Sequence, residues 1–164
     1  KTVGIIGCGH IGSDLARLLS PFGCTILVND IVSKADFCLE QGVYEVNLDE
    51  VVGKSDIITL HVPLTELTRQ MVDESFFKKM KSTAFLVNTC RGEVVNQGAL
   101  KKALSKRVIA GAALDVFVEE PPTDVDFLSL PNLMVTPHIG GNAREAVEAM
   151  GRSAINHLVD FFKN

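Results

Sequence analysis

Six residues near the start of the chain, Gly7-Cys8-Gly9-His10-Ile11-Gly12, constrain the fold more than any other feature. They follow an apolar run, Val3 to Ile6, and they open a segment with helical periodicity. The first glycine permits a tight turn, the second lets a pyrophosphate approach the backbone, and the third lets a helix pack closely on a strand. The motif therefore predicts a strand, a phosphate-binding turn and a helix in direct succession.

An acidic residue, Asp30, closes the second strand candidate, eighteen residues after Gly12. At that spacing a carboxylate can accept hydrogen bonds from both hydroxyls of an adenosine ribose and repel a 2′-phosphate. The loop and the acid together predict NAD as the cofactor, in preference to NADP. Lys34 is the nearby residue that could tolerate a phosphate. Without a ligand, the loop would be a plain glycine turn and Asp30 a helix cap or a solvated strand end.

Short apolar runs alternate with helical segments along the whole chain. The strand candidates are residues 3–6, 25–28, 57–60, 84–87, 109–114 and 133–135, and the helical candidates are residues 11–22, 33–41, 49–53, 73–80, 96–105 and 142–163. The apolar runs do not alternate with polar residues, which is typical of strands buried on both faces of a parallel sheet. We expect a Rossmann-type α/β fold, a doubly wound, mostly parallel sheet with helices on both faces. Residues 119–132, rich in Pro and Asp, are predicted to be an irregular functional loop.

Composition excludes several classes of protein. The 164 residues, 46% hydrophobic and 22% charged, are typical of one globular domain. A net charge of -4 provides no basic surface for nucleic acid, and no apolar run is long enough to cross a membrane. The four cysteines are too scattered to indicate a disulfide framework or a metal site. We expect a cytoplasmic protein that binds no metal.

Three chemically active side chains lie in motifs that follow the last three strand candidates. They are Arg91 in Asn-Thr-Cys-Arg-Gly, Glu120 before a proline, and His138 in Thr-Pro-His-Ile-Gly-Gly. Because the carboxyl ends of parallel strands share one edge, we expect them to converge. His138 could move a proton near neutral pH, a carboxylate could orient its imidazole, and Arg91 could bind a substrate carboxylate. Each alone would more often be a surface ion pair, a turn residue or a cap.

Together with His61-Val62-Pro63-Leu64-Thr65, these motifs resemble the ordered signature of the D-isomer-specific 2-hydroxyacid dehydrogenases, in particular the phosphoglycerate dehydrogenase-like branch. The resemblance spans the whole chain. It implies an oxidoreductase domain that transfers hydride between NAD and a D-2-hydroxy acid or 2-oxo acid, with Arg91, Glu120 and His138 as the catalytic residues. Glu119 is not expected to take part, because the acid of the family directly precedes the proline.

The same resemblance implies the cofactor contacts. The amides of His10 and Ile11 would meet the pyrophosphate, and Asp115 with the carbonyl of Cys90 would hold the nicotinamide carboxamide. The predicted set is Gly7, Gly9, His10, Ile11, Gly12, Asp30, His61, Val62, Pro63, Thr89, Cys90, Arg91, Asp115, His138, Gly140 and Gly141. His61 is expected to shape the adenosine side rather than act as a base, and Asp115 could instead be a strand-end cap. Cys90 stands where the family often has a smaller residue, which suggests that oxidation would affect activity.

The chain is expected to be one NAD-binding domain, residues 1–164, of a two-domain enzyme whose substrate domain is absent. Such a domain should bind NAD but turn over poorly, because closure over the substrate is lost. The family also implies a homodimer formed through this domain. Two alternatives stay open: an NAD-responsive assembly protein like the C-terminal-binding-protein corepressors, and an NAD-binding module without catalysis.

Overall fold

A computed structural model describes residues 1–163 of the chain. Within this part, short strands alternate with helices. The strands are β1 (Thr2–Ile6), β2 (Thr25–Asn29), β3 (Tyr44–Glu45), β4 (Ile57–Leu60), β5 (Phe85–Asn88), β6 (Gly111–Leu114) and β7 (Leu133–Val135). The helices are α1 (His10–Leu19), α2 (Ala35–Gln41), α3 (Leu48–Lys54), α4 (Glu74–Lys79), α5 (Gln97–Ser105), α6 (Val125–Leu128) and α7 (Arg144–Lys163). Single 3-10 turns, Ser20–Phe22 and Gly92–Val94, lie after α1 and before α5.

The strands form one parallel sheet in the order β3-β2-β1-β4-β5-β6-β7. The direction of winding reverses between β1 and β4, because β2 lies on one side of β1 and β5 lies on the far side of β4. Open sheets of this kind bind their ligands beyond the carboxyl ends of the strands, at that reversal. The predicted Rossmann-type, doubly wound sheet is confirmed.

The carboxyl ends of the central strands lie in register. Ile6 is paired with Asn29 on one side and with Leu60 on the other, and the row continues through Asn88 and Leu114. The residue after each strand therefore leaves the sheet at the same edge. These five residues are Gly7, Asp30, His61, Thr89 and Asp115. All of them belong to the predicted cofactor site.

Apolar side chains cover both faces of the sheet. Successive side chains of a strand point to opposite faces, so the neighbours Ile5 and Ile6 enter different clusters. Ile5 packs with Ala16 of α1 and Cys38 of α2, whereas Ile6 belongs to the larger cluster that includes Phe77 of α4. Phe77 is 1% exposed, so its truncation to Ala would lower the free energy of unfolding by about 3–5 kcal/mol.

In the described part of the chain, helix α1 lacks the side-chain cap that helices α3 to α6 have, and helix α2 lacks one as well. The side chains of Asn47, Asp73, Asn96 and Asp124 accept hydrogen bonds from the first turns of α3, α4, α5 and α6. Helix α1 is preceded by Gly9, and among residues 1–163 no side chain caps it. The N–H groups of its first turn are therefore available to a ligand.

Two short elements depart from the sequence-based expectation. Strand β3 has two residues, too few to show a periodic pattern, and it was not predicted. Helix α6 lies inside residues 119–132, so the prediction of an irregular segment is wrong for Val125–Leu128. Asp124 stabilises this single turn by accepting a hydrogen bond from the amide of Phe127 at 3.0 Å. One turn of helix shows no amphipathic repeat, and the segment therefore reads as a loop.

Helix α7 is the longest helix and lies on the surface. None of its described residues is buried, and Met150, Ile155 and Leu158 are about 60% exposed. It begins at Arg144, slightly later than the sequence predicts. In the part of the chain that the structure describes, no helix combines the length and apolar character that crossing a membrane requires.

Candidate cofactor and active site

The three glycines of the first loop meet three different spatial demands. Gly7 has a φ of 90°, and a Cβ there would lie 2.5 Å from the carbonyl oxygen of His61. A Cβ on Gly12 would collide with the carbonyl oxygen of Gly7, whereas a Cβ on Gly9 would meet open space. The loop therefore has a tight turn at Gly7, close helix packing at Gly12 and free access at Gly9. The uncapped amides of His10 and Ile11 follow directly.

Asp30 lies beside this loop. Its Oδ2 atom accepts a hydrogen bond from the amide of Cys8 at 2.7 Å, and Oδ1 accepts one from the amide of Val32 at 3.0 Å. The carboxylate thus ties the glycine loop to the start of the β2–α2 connection. Each oxygen keeps a lone pair that a ribose hydroxyl can use.

A cavity of about 530 Å³ opens next to Asp30. Its lining is mainly apolar, as expected for the binding of an adenine ring. The predicted residues that line it are Gly7, Gly9, Asp30, His61, Val62 and Pro63. Sequence reasoning missed the further lining residues Ile31, Val32, Leu48, Leu67 and Met71. The sequence signal that could have indicated them is Ile31-Val32, two apolar residues directly after Asp30. In the structure these residues are 93% and 61% exposed.

His61 contributes to the shape of this cavity. Its amide donates to the carbonyl oxygen of Ile6 at 2.8 Å, and its Nε2 atom lies 2.9 Å from Oγ1 of Thr59. Burial lowers the pKa of His61, so the ring is neutral near pH 7. A neutral ring held by its own strand is suited to packing rather than to proton transfer.

A second cavity, of about 250 Å³, brings together the three predicted catalytic residues. Arg91, Glu120 and His138 all line it, although they come from three different loops. The loops follow β5, β6 and β7, whose carboxyl ends lie side by side. Three loops at one edge of the sheet thus place a carboxylate, an imidazole and a guanidinium around one small cavity.

Glu120 is the residue that contacts His138. Its Oε2 atom lies 2.8 Å from Nδ1 of the imidazole, and its Oε1 atom accepts a hydrogen bond from the amide of Phe117 at 3.0 Å. The hydrogen bond with His138, followed by that from Phe117, lowers the pKa of Glu120. Glu119 instead accepts a hydrogen bond from Thr123 at 3.4 Å. Of the two adjacent acids, Glu120 therefore contacts the imidazole and Glu119 does not. The Nε2 atom of His138 is left for a ligand.

Asp115 holds the turn that carries His138. Its Oδ1 accepts from the hydroxyl of Thr136 at 2.5 Å and from the amide of Ile139 at 3.0 Å, and its Oδ2 accepts from the amide of Gly140 at 2.9 Å. His138 has a φ of 54°, a left-handed conformation that costs a non-glycine residue roughly 1 kcal/mol or more. Burial raises the pKa of Asp115, but the three hydrogen bonds outweigh it, so the pKa lies below its ordinary value. The buried carboxylate thereby fixes the strained turn.

The side chain of Asn88 holds the backbone of the loop that carries Arg91. Sequence reasoning did not single out this residue. This side chain is 1% exposed at the end of β5. Its Nδ2 donates to the carbonyl oxygen of Arg91 at 2.9 Å, and its Oδ1 accepts from the amide of Cys90 at 3.0 Å. The guanidinium of Arg91 donates to the carbonyl oxygen of Cys90.

Some of the predicted cofactor residues line neither cavity. They include Thr89, Cys90, Asp115, Gly140 and Gly141, which are close in sequence to residues that line the cavity of about 250 Å³. Across residues 1–163, no cluster of His, Cys, Asp or Glu could hold a metal ion.

Comparison with known proteins agrees with this fold. Residues 1–140 match the family model described as D-isomer specific 2-hydroxyacid dehydrogenase, NAD binding domain. A glyoxylate reductase from Korarchaeum cryptofilum is 44% identical over 98% of this chain and 49% of its own length. The D-3-phosphoglycerate dehydrogenase 2, chloroplastic, of Arabidopsis thaliana is 38% identical over 92% of this chain and 24% of its own length. The chain thus spans about half, or less, of the length of these relatives.

Solved structures show the same fold. The NAD-complexed D-isomer specific 2-hydroxyacid dehydrogenase of Lactobacillus delbrueckii ssp. bulgaricus superposes with a TM-score of 0.88 at 34% identity, over 99% of this chain and 53% of that one. A D-lactate dehydrogenase from Aquifex aeolicus, complexed with NAD and lactic acid, gives the same TM-score and identity. The cofactor of this domain is NAD. The chain belongs to the D-isomer-specific 2-hydroxyacid dehydrogenase family, as its NAD-binding domain.

Proposed function

We propose that the chain is the cofactor-binding part of an NAD-dependent dehydrogenase that interconverts a D-2-hydroxy acid and the corresponding 2-oxo acid. The observation that carries the proposal is the 2.8 Å contact between His138 and Glu120 in the cavity that Arg91 also lines. A base with its orienting carboxylate and a cation at one sheet edge are what hydride transfer at a hydroxyl-bearing carbon requires.

The residues of the first loop fit NAD. Gly9 leaves room at the start of α1, whose first N–H groups can bind a pyrophosphate. Asp30 lies at the cavity of about 530 Å³, where an adenosine would place its ribose hydroxyls. When bound, the nicotinamide ring supplies the acceptor or donor of the hydride. The two cavities lie at the same edge of the parallel sheet, because the loop after β1 and the loops after β5 to β7 all leave the sheet there.

His138 is the proton-transfer residue of the proposed reaction. In oxidation, its Nε2 atom would take the proton of the substrate hydroxyl, and in reduction it would return that proton to the carbonyl oxygen. Glu120 at Nδ1 keeps the imidazole in the tautomer that leaves Nε2 free, and it stabilises the imidazolium. The lowered pKa of Glu120 keeps its carboxylate ionised throughout the neutral range.

Arg91 is the substrate-binding residue of the proposal. Its guanidinium offers a planar set of donors that can bind a carboxylate through two hydrogen bonds and polarise a neighbouring carbonyl. The side chain of Asn88 holds the backbone of Arg91 by donating a hydrogen bond to its carbonyl oxygen. The small size of the cavity, about 250 Å³, suits a short 2-oxo acid. Relatives named glyoxylate reductase and D-3-phosphoglycerate dehydrogenase make glyoxylate and 3-phosphohydroxypyruvate the first substrates to compare.

A role as a corepressor-like assembly protein has no comparable support. The relatives and structures described above are named as reductases and dehydrogenases. A module without catalysis would leave unexplained why Arg91, Glu120 and His138 line the same cavity. We therefore propose catalysis rather than either alternative.

The first test is calorimetric titration of the chain with NAD. Asp30→Ala should weaken NAD binding about tenfold, because the ribose hydroxyls lose a charged acceptor. Asp36→Asn, a change of the same charge on the exposed start of α2, should leave binding unchanged. A folded chain that binds no NAD, or an Asp36→Asn variant as weak as Asp30→Ala, contradicts the proposed cofactor site.

The second test is the reaction itself. NADH oxidation is followed with glyoxylate, pyruvate and 3-phosphohydroxypyruvate, on this chain and on a longer protein that contains it. We expect turnover of at least one 2-oxo acid by the longer protein and little by the chain alone, since closure of a second domain excludes water and orients the substrate. Turnover that survives His138→Ala unchanged would contradict the proposed mechanism.

We also propose that the domain forms a homodimer in the cytoplasm. Helix α1 exposes Ile11 and Leu18, which are 67% and 70% exposed, and the adjoining turn exposes Phe22 at 77%. Exposed apolar side chains of this kind often mark an interface between subunits. The four cysteines are free thiols, which is typical of a reducing compartment. Sedimentation equilibrium should show a dimer that Leu18→Lys dissociates, and a monomeric parent protein contradicts the proposal.

A further inference from the structure

Two carboxylates hold the loop that connects β2 to α2. Asp30 accepts a hydrogen bond from the amide of Val32 at 3.0 Å. Glu45, on β3, accepts one from the amide of Lys34 at 2.8 Å and one from the hydroxyl of Ser33 at 3.1 Å. The loop is therefore fixed at both ends by negative charge. Only the first of these acids is part of the cofactor site described above.

We propose that Glu45 is a second residue that selects NAD against NADP. The proposal rests on the proposed function, in which Asp30 accepts hydrogen bonds from the adenosine ribose. The phosphate of NADP is attached to one of the two ribose hydroxyls that Asp30 would bind. It would therefore lie against the loop that directly follows Asp30, which lines the same cavity.

A phosphate at this position would need hydrogen-bond donors and positive charge. The loop offers the hydroxyl of Ser33 together with the amide and the ammonium group of Lys34, a residue that lines the cavity. Glu45 already occupies the first two donors. A bound carboxylate must be displaced before a phosphate can use them, and until then it repels the phosphate. Glu45 thus acts as an internal anion in place of the 2′-phosphate.

Glu45 can exert this effect without touching NAD. It lies on the exposed edge strand β3, opposite Val28, and it is absent from the residues within 1–163 that line the adenosine cavity. Removal of its charge should therefore change the discrimination between the two nucleotides and leave the affinity for NAD nearly unchanged. Because the side chain is exposed, the substitution should also leave the core intact.

The test compares the affinities of the chain for NAD and NADP by calorimetry. Glu45→Gln removes the charge and keeps the size of the side chain, and Glu45→Ala serves as a second variant. Glu40→Gln, on the exposed face of α2, is the matched control, because it removes the same charge without freeing a donor. We expect either Glu45 variant to bind NADP about tenfold more tightly, with an NAD affinity within about twofold of the parent. Adding Ser33→Ala to Glu45→Gln should reverse most of the gain.

Three outcomes overturn the inference. An unchanged NADP affinity in both Glu45 variants means that the carboxylate does not oppose the phosphate. An equal gain in Glu40→Gln means that net charge alone is responsible. An equal loss of NAD and NADP affinity means that Glu45 only shapes the loop. If the parent chain binds neither nucleotide, the proposed cofactor site fails and this inference fails with it, whereas NAD binding with no effect of Glu45 removes the inference alone.

Discussion

The Oε2 atom of Glu120 lies 2.8 Å from Nδ1 of His138, while the other oxygen of the same carboxylate accepts the amide of Phe117 at 3.0 Å. The second hydrogen bond fixes the direction of the carboxylate, because Phe117 belongs to the loop that leaves β6. The carboxylate of Glu120, which orients the imidazole, is therefore itself held in place by the amide of Phe117. The neighbouring Glu119 contacts Thr123 instead of the imidazole.

Glu120→Gln should lower kcat on the order of 100-fold and leave the affinity for NAD unchanged. The amide can still donate to or accept from Nδ1, but it no longer compensates the charge of the imidazolium. The measurement is steady-state kinetics of the longer protein together with calorimetry. Glu119→Gln is the matched control, since Glu119 contacts Thr123 instead. If both variants lose activity equally, the assignment of the acid is incorrect.

Arg91→Lys should lower kcat/KM for the 2-oxo acid by about 30-fold or more, because lysine keeps the charge and loses the two-pronged geometry. Most of the effect should appear in the KM for the 2-oxo acid. Arg152→Lys, on the exposed helix α7, provides the control. An Arg91→Lys variant with unaltered KM would show that another cation binds the substrate carboxylate.

The sequence predicted the fold and the convergence of the motifs for one physical reason. Each motif directly follows a strand, and parallel strands in register deliver their following residues to one edge. Strand β3 and helix α6 were missed because neither is long enough to show a repeat. The contacts of Asn88 and Glu45 were also beyond prediction, because their partners include backbone amides whose positions depend on loop conformation.

Asp115→Asn should lower the free energy of unfolding by about 2 kcal/mol and reduce kcat as well. The new NH2 group replaces one of the two carboxylate oxygens, so a donor would face the N–H group of either Ile139 or Gly140, each of which now donates to the carboxylate. The turn would then lose part of the contacts that hold His138 at a φ of 54°. Urea unfolding measures the first effect, and Asp126→Asn on the exposed face of α6 is the control. A variant as stable as its parent would show that the turn is held in another way.

Asp56 should make stability depend on pH in the acid range. Its Oδ2 accepts the amide of Thr2 at 2.8 Å and its Oδ1 accepts the ammonium of Lys81 at 2.9 Å, and these bonds lower its pKa from 3.8 to about 2. A lowered pKa stabilises the fold above pH 3.8, and this stabilisation is lost as the pH falls toward about 2.

The check is urea unfolding of the parent and of Asp56→Asn between pH 2 and pH 6. The difference between the two proteins should be largest at pH 6 and should shrink as the pH falls below 4. Asp49→Asn is a suitable comparison, because its carboxylate also pairs with a lysine, at 2.7 Å, but is 74% exposed. A difference between parent and Asp56→Asn that does not vary with pH would contradict the assigned pKa.

Cys90 should react slowly with alkylating agents, against the expectation that this thiol makes activity sensitive to oxidation. Burial raises its pKa above the ordinary value, more strongly than the nearby amides and Arg91 lower it. The thiol also donates to Oδ1 of Asn88 at 3.1 Å. Because the thiolate is the reactive species, little of it should be present at pH 7.5. Peptide mapping after iodoacetamide treatment should therefore find Cys90 largely unmodified at pH 7.5 and increasingly modified above pH 9. Asn88→Ala, which removes the acceptor, should speed the modification, and rapid modification of the parent protein at pH 7.5 would show that the thiol is activated.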